Sequence, residues 1–203
     1  MSDTVDFTVN ASGTLAVIAA GTSTTFTVTF APATEGSRNG TLQIPNDDAD
    51  EAPFDISLTG TAITPAQAFA NAMSAASLGG ADAAADATPM KDGVANLLKY
   101  AFNMTLTAPD VEVLTPGTGT AGLPSVTQPS PGILRVEYLR RVDSGVVYVP
   151  MKSSTLASGS WGPLSDPPNV TAIDAVWERV VHDEPFVPAT TPHLFGQLEI
   201  TLP

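Results

Sequence analysis

Hydrophobic and polar residues alternate in three short stretches between Gly21 and Ala62, and this pattern predicts β-strands. The alternating positions are Thr24, Phe26, Val28 and Phe30, then Thr41 to Ile44, then Phe54, Ile56 and Leu58. A strand that alternates has one apolar face, and a sheet with one apolar face packs against a second layer. We therefore predict a β-sandwich segment whose core is formed by Phe26, Val28, Phe30, Phe54, Ile56 and Leu58.

Helical spacing replaces alternation between Ile63 and Met104. Thr64 and Pro65 suit the start of a helix, whose apolar positions Phe69, Ala72, Met73 and Ala76 precede Gly79-Gly80. Asp92 suits the N-cap of a second helix, whose packing residues are Leu97, Leu98 and Phe102. This region is predicted to be a short two-helix connector.

The last part of the chain returns to alternation after a stretch rich in Pro, Gly and Thr. Strands are predicted at Ile133–Leu139, Val146–Lys152, Val176–Val181 and Leu194–Leu202, with core positions at Tyr148, Trp161 and Leu198. The chain is therefore predicted to be mainly β. Three regions are predicted: the β-sandwich segment at residues 1–62, the connector at 63–104 and a C-terminal antiparallel β-sandwich at 105–203.

Composition limits the classes of partner. The 203 residues include 8 basic and 21 acidic side chains, a net charge of −13, and this balance argues against nucleic acid, which is bound through clustered Lys and Arg. There are no cysteines, which excludes disulfides and thiolate metal sites. The sequence has no apolar run near the ~20 residues that a membrane helix needs. We expect no membrane insertion, and the first ten residues do not form a secretion signal.

The first segment carries motifs that resemble a known repeat. These are F-x-V at 7–9, G-x-S-x-x-F-x-V-x-F-x-P at 21–32 and P-F-x-I-x-L-x-G-T-A at 53–62. They resemble the immunoglobulin-like repeats of large bacterial surface proteins, the choice-of-anchor D or ASPM/SPD-2/Hydin type. A complete immunoglobulin sandwich has about seven strands in about 100 residues. The resemblance therefore implies that the segment lacks its first strands and has an open sheet edge.

The remainder resembles the C-terminal region of large secreted verrucomicrobial and planctomycete proteins. In these proteins D-x-D-x-D-G-x-x-N-L-L-x-Y-A precedes a terminal β-domain, and residues 92–101 read D-G-V-A-N-L-L-K-Y-A. Thr88 and Met90 stand where the earlier aspartates of that motif would be. The terminal domain is matched at Tyr138, Arg140, Arg141, Tyr148, Trp161 and 195–202. The resemblance implies a secreted or cell-surface location and carries no activity.

Calcium is the one candidate cofactor. Asp82, Asp86, Asp92 and Asn96 precede or begin the second predicted helix, and Ca²⁺ takes six to eight oxygen ligands from flexible loops. The alternative is an N-cap at Asp92 beside a solvated linker. Without calcium the chain is expected to need no cofactor.

Polysaccharide is a candidate ligand of the C-terminal domain. Trp161, Trp177 and Tyr138 could present aromatic faces to sugar rings. The alternative is that these side chains fill the sandwich core, as a buried Trp commonly does in such folds.

The sequence does not predict an enzyme. It has two histidines, His182 and His193, no G-x-S-x-G motif and no pair of carboxylates singled out by its spacing. We predict a non-catalytic structural or adhesive module, a spacer, stalk or filament subunit of an extracellular bacterial protein, with a carbohydrate-binding module as the alternative. Expected partners are other domains of a larger parent chain, a second copy through the open sheet edge, or a polysaccharide.

Overall fold

The computed structural model describes residues 5–48, 50, 52–142 and 144–203. The protein is mainly β with two short helices, which confirms the predicted fold class. It divides into two compact units, Met1–Thr64 and Pro65–Pro203. The helices predicted as a connector therefore lie inside the second unit, because their apolar side chains pack on its sheets.

The first unit contains two antiparallel ribbons. One pairs β1 (Phe7–Asn10) with β2 (Thr27–Phe30), and the other pairs β3 (Gly36–Ile44) with β4 (Phe54–Ala62). The rings of Phe7 and Phe30 pack with centroids 4.9 Å apart. A Cβ atom added at Gly60 would lie 2.6 Å from Cζ of Phe30, so the absence of a side chain in β4 lets the two ribbons approach.

The predicted core of the first unit is wrong at two positions. Phe26 is 37% exposed and Phe54 is 46% exposed, whereas Phe7 is 3% exposed and Leu42 is 9% exposed. Phe26 lies just before β2 begins and Phe54 is the first residue of β4, so each stands at the end of a ribbon. Alternation identified the inward direction of these side chains but not how far the opposite ribbon extends.

The helices of the second unit start with Pro65. Helix α1 spans Pro65–Ala75, a 3₁₀ turn spans Gly80–Ala83 and α2 spans Asn96–Ala101. Phe69 of α1 meets Tyr100 of α2 edge to face, with ring centroids 5.4 Å apart. Ala95 precedes the first residue of α2 and its side chain makes no cap hydrogen bond, so the predicted N-cap at Asp92 is wrong.

Two antiparallel sheets complete the second unit. The strands are β5 (Ser125–Ser130), β6 (Ile133–Arg141), β7 (Val147–Ser153), β8 (Gly162–Pro163), β9 (Asn169–Ala172), β10 (Trp177–Pro185) and β11 (Phe195–Thr201). One sheet has the order β5-β6-β10-β9 and the other β11-β7-β8. The four strands predicted for this part of the chain overlap β6, β7, β10 and β11.

The main core lies between these sheets and the helices. Val136 and Tyr138 of β6 are buried against partly buried residues of β7 and β11, and Tyr138 stacks on Tyr148 at 5.8 Å. The other face of β6 is also covered, since Leu139 packs with Leu114 and Trp177. Leu114, from the stretch rich in Pro, Gly and Thr, therefore helps to close a second small core.

Candidate functional site

Asp92 and Lys99 form a buried ion pair where α2 meets the loop that follows it. The Nζ atom of Lys99 lies 2.5 Å from Oδ2 of Asp92, and the side chains are 1% and 2% exposed. Lys99 also donates to the carbonyl oxygen of Ala108 at 2.9 Å. The Asp92 carboxylate accepts from the backbone N–H groups of Val94 at 3.0 Å and Asp110 at 2.8 Å. We call this group of residues the Lys99 node.

The electrostatics of the node follow from these contacts. The ammonium of Lys99 and the N–H of Asp110 hold the pKa of the Asp92 carboxyl well below its usual range. The carboxylate of Asp92 is therefore charged in the neutral and mildly acidic range. The node links α2 to the chain around Ala108 and Asp110 by ionic and hydrogen-bonded contacts.

The residues of the predicted calcium site are not arranged around a common point. Asp82 and Asp86 are exposed, and the Nδ2 group of buried Asn96 donates to the carbonyl oxygens of Asp82 and Ala84 at 2.8 and 2.9 Å. Beside Asp92 the cation is the ammonium of Lys99. Over the residues that the structure describes, no three His, Cys, Asp or Glu side chains come together in a metal-binding group. Calcium binding remains a prediction.

A second polar cluster joins the two sheets. Glu184 of β10 is 2% exposed and accepts from the Lys152 ammonium of β7 and from the backbone N–H of Ser165 at 2.6 Å. Lys152 also donates to Oγ of Ser165 at 2.6 Å. Burial opposes the charge on Glu184, but the hydrogen bonds from Lys152 and Ser165 outweigh burial and lower the pKa of this carboxyl.

His182 lies next to this cluster on the same face of β10. It is 6% exposed and stacks on Tyr138, whose hydroxyl is 3.5 Å from Nε2. Nδ1 is 3.4 Å from the carbonyl oxygen of Asp166. A neutral ring with its proton on Nδ1 satisfies both contacts. Burial lowers the pKa of His182 and raises the pKa of Tyr138 to about 12.

A third buried charge lies on the opposite face of the four-stranded sheet. Glu137 is 2% exposed and accepts from the Arg179 guanidinium of the neighbouring strand and from the N–H of Gly117 at 2.7 Å. Arg179 donates in addition to the carbonyl oxygen of Gly119 at 2.5 Å. Glu137 and Arg179 thus attach the 114–119 loop to the sheet.

The predicted sugar-binding aromatics do not share a surface. Tyr138 is 2% exposed in the main core and Trp177 is 7% exposed in the small core, so neither presents a ring face to a ligand. Trp161 is half-buried just before β8. Carbohydrate binding by these three residues as a group would require the core to open.

A shallow polar groove of about 320 Å³ lies on the exposed part of the four-stranded sheet. Arg135 and Asp183 cross its floor as a bidentate pair with two contacts of 2.6 Å, and Asn169 and Thr171 of β9 form one wall. Arg135 lowers the pKa of the Asp183 carboxyl. Because the two charged groups satisfy each other, the groove offers few groups to a ligand.

Neither of two comparisons with known proteins gives a match. The chain matches no protein family, and no curated protein is significantly similar to it. The described helices include none with the length and apolar character required to cross a bilayer. The arrangement of side chains therefore carries the functional argument.

The sequence did not identify the buried charges. Lys99 is the one charged residue of α2, whereas Glu137 and Glu184 lie in β6 and β10, which each carry several other charged residues. For Lys99 a lone charge inside an apolar element was the available signal, because a charge at such a position is rarely buried unless it is paired. The partner of Glu137 could not be identified, since 42 residues separate Glu137 from Arg179.

Proposed function

We propose that this chain is a non-catalytic structural module of a larger secreted or cell-surface bacterial protein, serving as a spacer, stalk or filament subunit. The observation that carries the proposal is that the buried charged side chains are each paired with an opposite charge. In the described part of the second unit, Lys99, Glu137 and Glu184 each pair with an opposite charge of the same chain. An acid, base or nucleophile has to reach a substrate, whereas these three side chains are only 1–2% exposed.

The three pairs connect different parts of the second unit. Lys99 ties α2 to the loop after it, Glu137 ties the 114–119 loop to one sheet, and Glu184 ties that sheet to the other. Breaking a buried pair by removing one partner leaves an uncompensated charge and is strongly destabilising. Ion pairs that join separate segments in this way support the role of a module that resists mechanical unfolding. The bacterial surface location rests on the resemblance described above.

Single-molecule force spectroscopy on the full chain tests this role. We expect the second unit to unfold in one step that releases roughly 460–500 Å of chain, at about 3.3–3.6 Å per extended residue. Lys152→Met should lower the unfolding force because it leaves Glu184 buried without its cation. Lys91→Met, at an exposed lysine, is the matched control and should leave the force unchanged. Gradual lengthening of the second unit at low force would contradict the proposal.

A further inference from the structure

An apolar groove of about 900 Å³ lies within the first unit. Val9 of β1, Phe26 and the β3 residues Leu42 and Ile44 form its walls, together with Leu15 and other residues of the 11–18 loop. Three of these loop side chains are largely exposed: Leu15 at 57%, Val17 at 84% and Ile18 at 51%. A groove of this volume is at the upper end of what a ligand pocket usually provides, roughly 300–1,000 Å³.

The backbone next to the groove belongs to the β1-β2 ribbon. Within the described residues, β1 and β2 form a ribbon of two strands only. Their sequences, F-T-V-N and T-V-T-F, contain no charged residue and no proline. Natural sheets protect an exposed edge with charges, proline or bulges, and this ribbon has no charge or proline. An edge of this kind accepts a further strand by main-chain hydrogen bonds, while the groove receives its alternate side chains.

Charge decides between the candidate occupants. Asp47 lines the groove and Asp48 follows it, and the whole chain has a net charge of −13. A second copy would bring the same acidic groove into contact with the first, and like charges facing each other disfavour such a complex. A strand with Lys or Arg at the end that reaches Asp47 has the complementary charge.

We infer that the first unit binds an extended strand of another polypeptide, with alternating β-branched or apolar residues and a basic end. The strand adds to the β1-β2 ribbon, places its apolar side chains against Leu42, Ile44 and Leu15, and directs its basic end to Asp47. The inference concerns the first unit and the proposed structural role rests on the second. A negative result for one therefore leaves the other standing.

Fluorescence anisotropy of labelled peptides with the full chain tests this inference. The probe is KKTVTVTVTV, its charge-reversed form is EETVTVTVTV and its proline-interrupted form is KKTVTPTVTV. We expect saturable binding of the probe and binding about tenfold weaker or worse for each of the other two, because one has the wrong charge and the other lacks an N–H and disfavours a continuous strand.

Two pairs of variants locate the binding surface. Leu15→Ser should weaken binding of the probe about fivefold to tenfold by removing apolar contact. Leu156→Ser, at a leucine of similar exposure in the second unit, should not change the affinity.

Asp47→Asn should reduce the preference for the basic over the charge-reversed peptide. Glu199→Gln makes the same change in net charge away from the groove and should leave the preference intact. Far-UV circular dichroism verifies that each variant is folded.

Three results would overturn the inference. If the probe does not bind at millimolar protein concentration, the inference is wrong. Equal affinity for the proline-interrupted peptide means that the groove takes apolar groups without strand pairing. A dimer in sedimentation equilibrium that dissociates in Leu15→Ser means that the occupant is a second copy of this chain.

Discussion

Lys99 is a lysine whose side chain is almost completely buried, and its neighbours explain why it is tolerated there. The ammonium contacts one carboxylate and one carbonyl oxygen, and the carboxylate accepts two further backbone N–H groups. A charge in the interior is stable only when such contacts replace water. The node is therefore the point at which a single substitution should have the largest effect on the helical part of the second unit.

Replacement of Lys99 by methionine tests this expectation. Lys99→Met should lower the urea concentration at the midpoint of unfolding more than Lys99→Met combined with Asp92→Asn does. Asparagine removes the uncompensated charge and keeps one acceptor oxygen, for the N–H of either Val94 or Asp110, which bind different oxygens of the carboxylate. Equal midpoints for the single and the double variant would show that the charge of Asp92 is not what the lysine compensates.

His182 predicts a pH dependence in the mildly acidic range. Burial lowers its pKa below the usual value of about 6.5, so the unfolded chain binds this proton more readily than the folded chain. The free energy of unfolding should therefore fall as the pH drops below about 6.5. The lowered pKa values of Asp183 and Glu184 act in a separate window, because their contributions are lost only as the pH falls below about 4.5.

Urea titrations at pH 7.5, 6.0 and 5.2 measure the slope of the free energy of unfolding against pH. His182→Gln should flatten it between pH 7.5 and 5.2, even if the variant is less stable at every pH. His193→Gln replaces the other histidine and should retain the slope. A slope that is the same in His182→Gln and in the parent protein would assign the pH dependence to other groups.

Two phenylalanines of the first unit separate core from edge. Phe7→Ala should lower the free energy of unfolding of that unit by about 3–5 kcal/mol, because the ring is 3% exposed. Phe54→Ala should cost less than about 1 kcal/mol, since Phe54 is 46% exposed. Unfolding followed by circular dichroism compares the two. A similar loss in both variants would mean that Phe54 is covered in solution.

At the level of elements, the distance between the two sheets of the second unit depends on a glycine in β11. A Cβ atom at Gly196 would lie 2.9 Å from Cγ2 of Val136 and 3.2 Å from Cγ1 of Val126, whereas one at Gly162 in β8 would meet nothing within 4 Å. Gly196→Ala should therefore destabilise the protein by about 1–3 kcal/mol through overpacking. Gly162→Ala is the matched control in the other edge strand and should be nearly neutral.

The elements themselves were largely predictable, and their contacts were not. Period-two alternation located β6, β7, β10 and β11, and helical spacing located α1, because these patterns reflect which side of an element meets the core. The start of α2 was misplaced because Asp92 has the residue type of an N-cap and accepts from the N–H of Val94, but the helix begins only at Asn96. Residue type at one position does not determine whether such a side-chain to backbone hydrogen bond starts a helix or lies in a turn before it.

The candidate site was the least predictable part. Asp82, Asp86, Asp92 and Asn96 are near one another in sequence, but only Asp92 and Asn96 are buried, and they face different partners. Trp177 and Tyr138 were assigned to a ligand surface or a core, and the choice depended for Trp177 on Leu114 packing beside it and for Tyr138 on the packing of β7 and β11 against β6. Such decisions depend on contacts between distant segments, which periodicity does not record.

At the scale of the whole molecule, the two units should unfold as separate transitions. All Trp and Tyr residues lie in the second unit, at 161 and 177 and at 100, 138 and 148. Circular dichroism reports both units, whereas tryptophan fluorescence reports only the second. We expect an early urea transition in circular dichroism, from the smaller first unit, that fluorescence does not show. Coincident curves would indicate that the units unfold together.

The Lys99 ammonium has one consequence for how the protein depends on its surroundings. A metal ion bound by a loop exchanges with free ions in solution, and the fraction of occupied sites falls when the ion concentration falls. An ammonium on the same chain cannot diffuse away, and tethering gives it a high local concentration beside Asp92 whatever the solution contains. At this position the fold carries its own counter-ion, so the attachment of α2 to the 105–110 segment persists through changes in ion supply outside the protein.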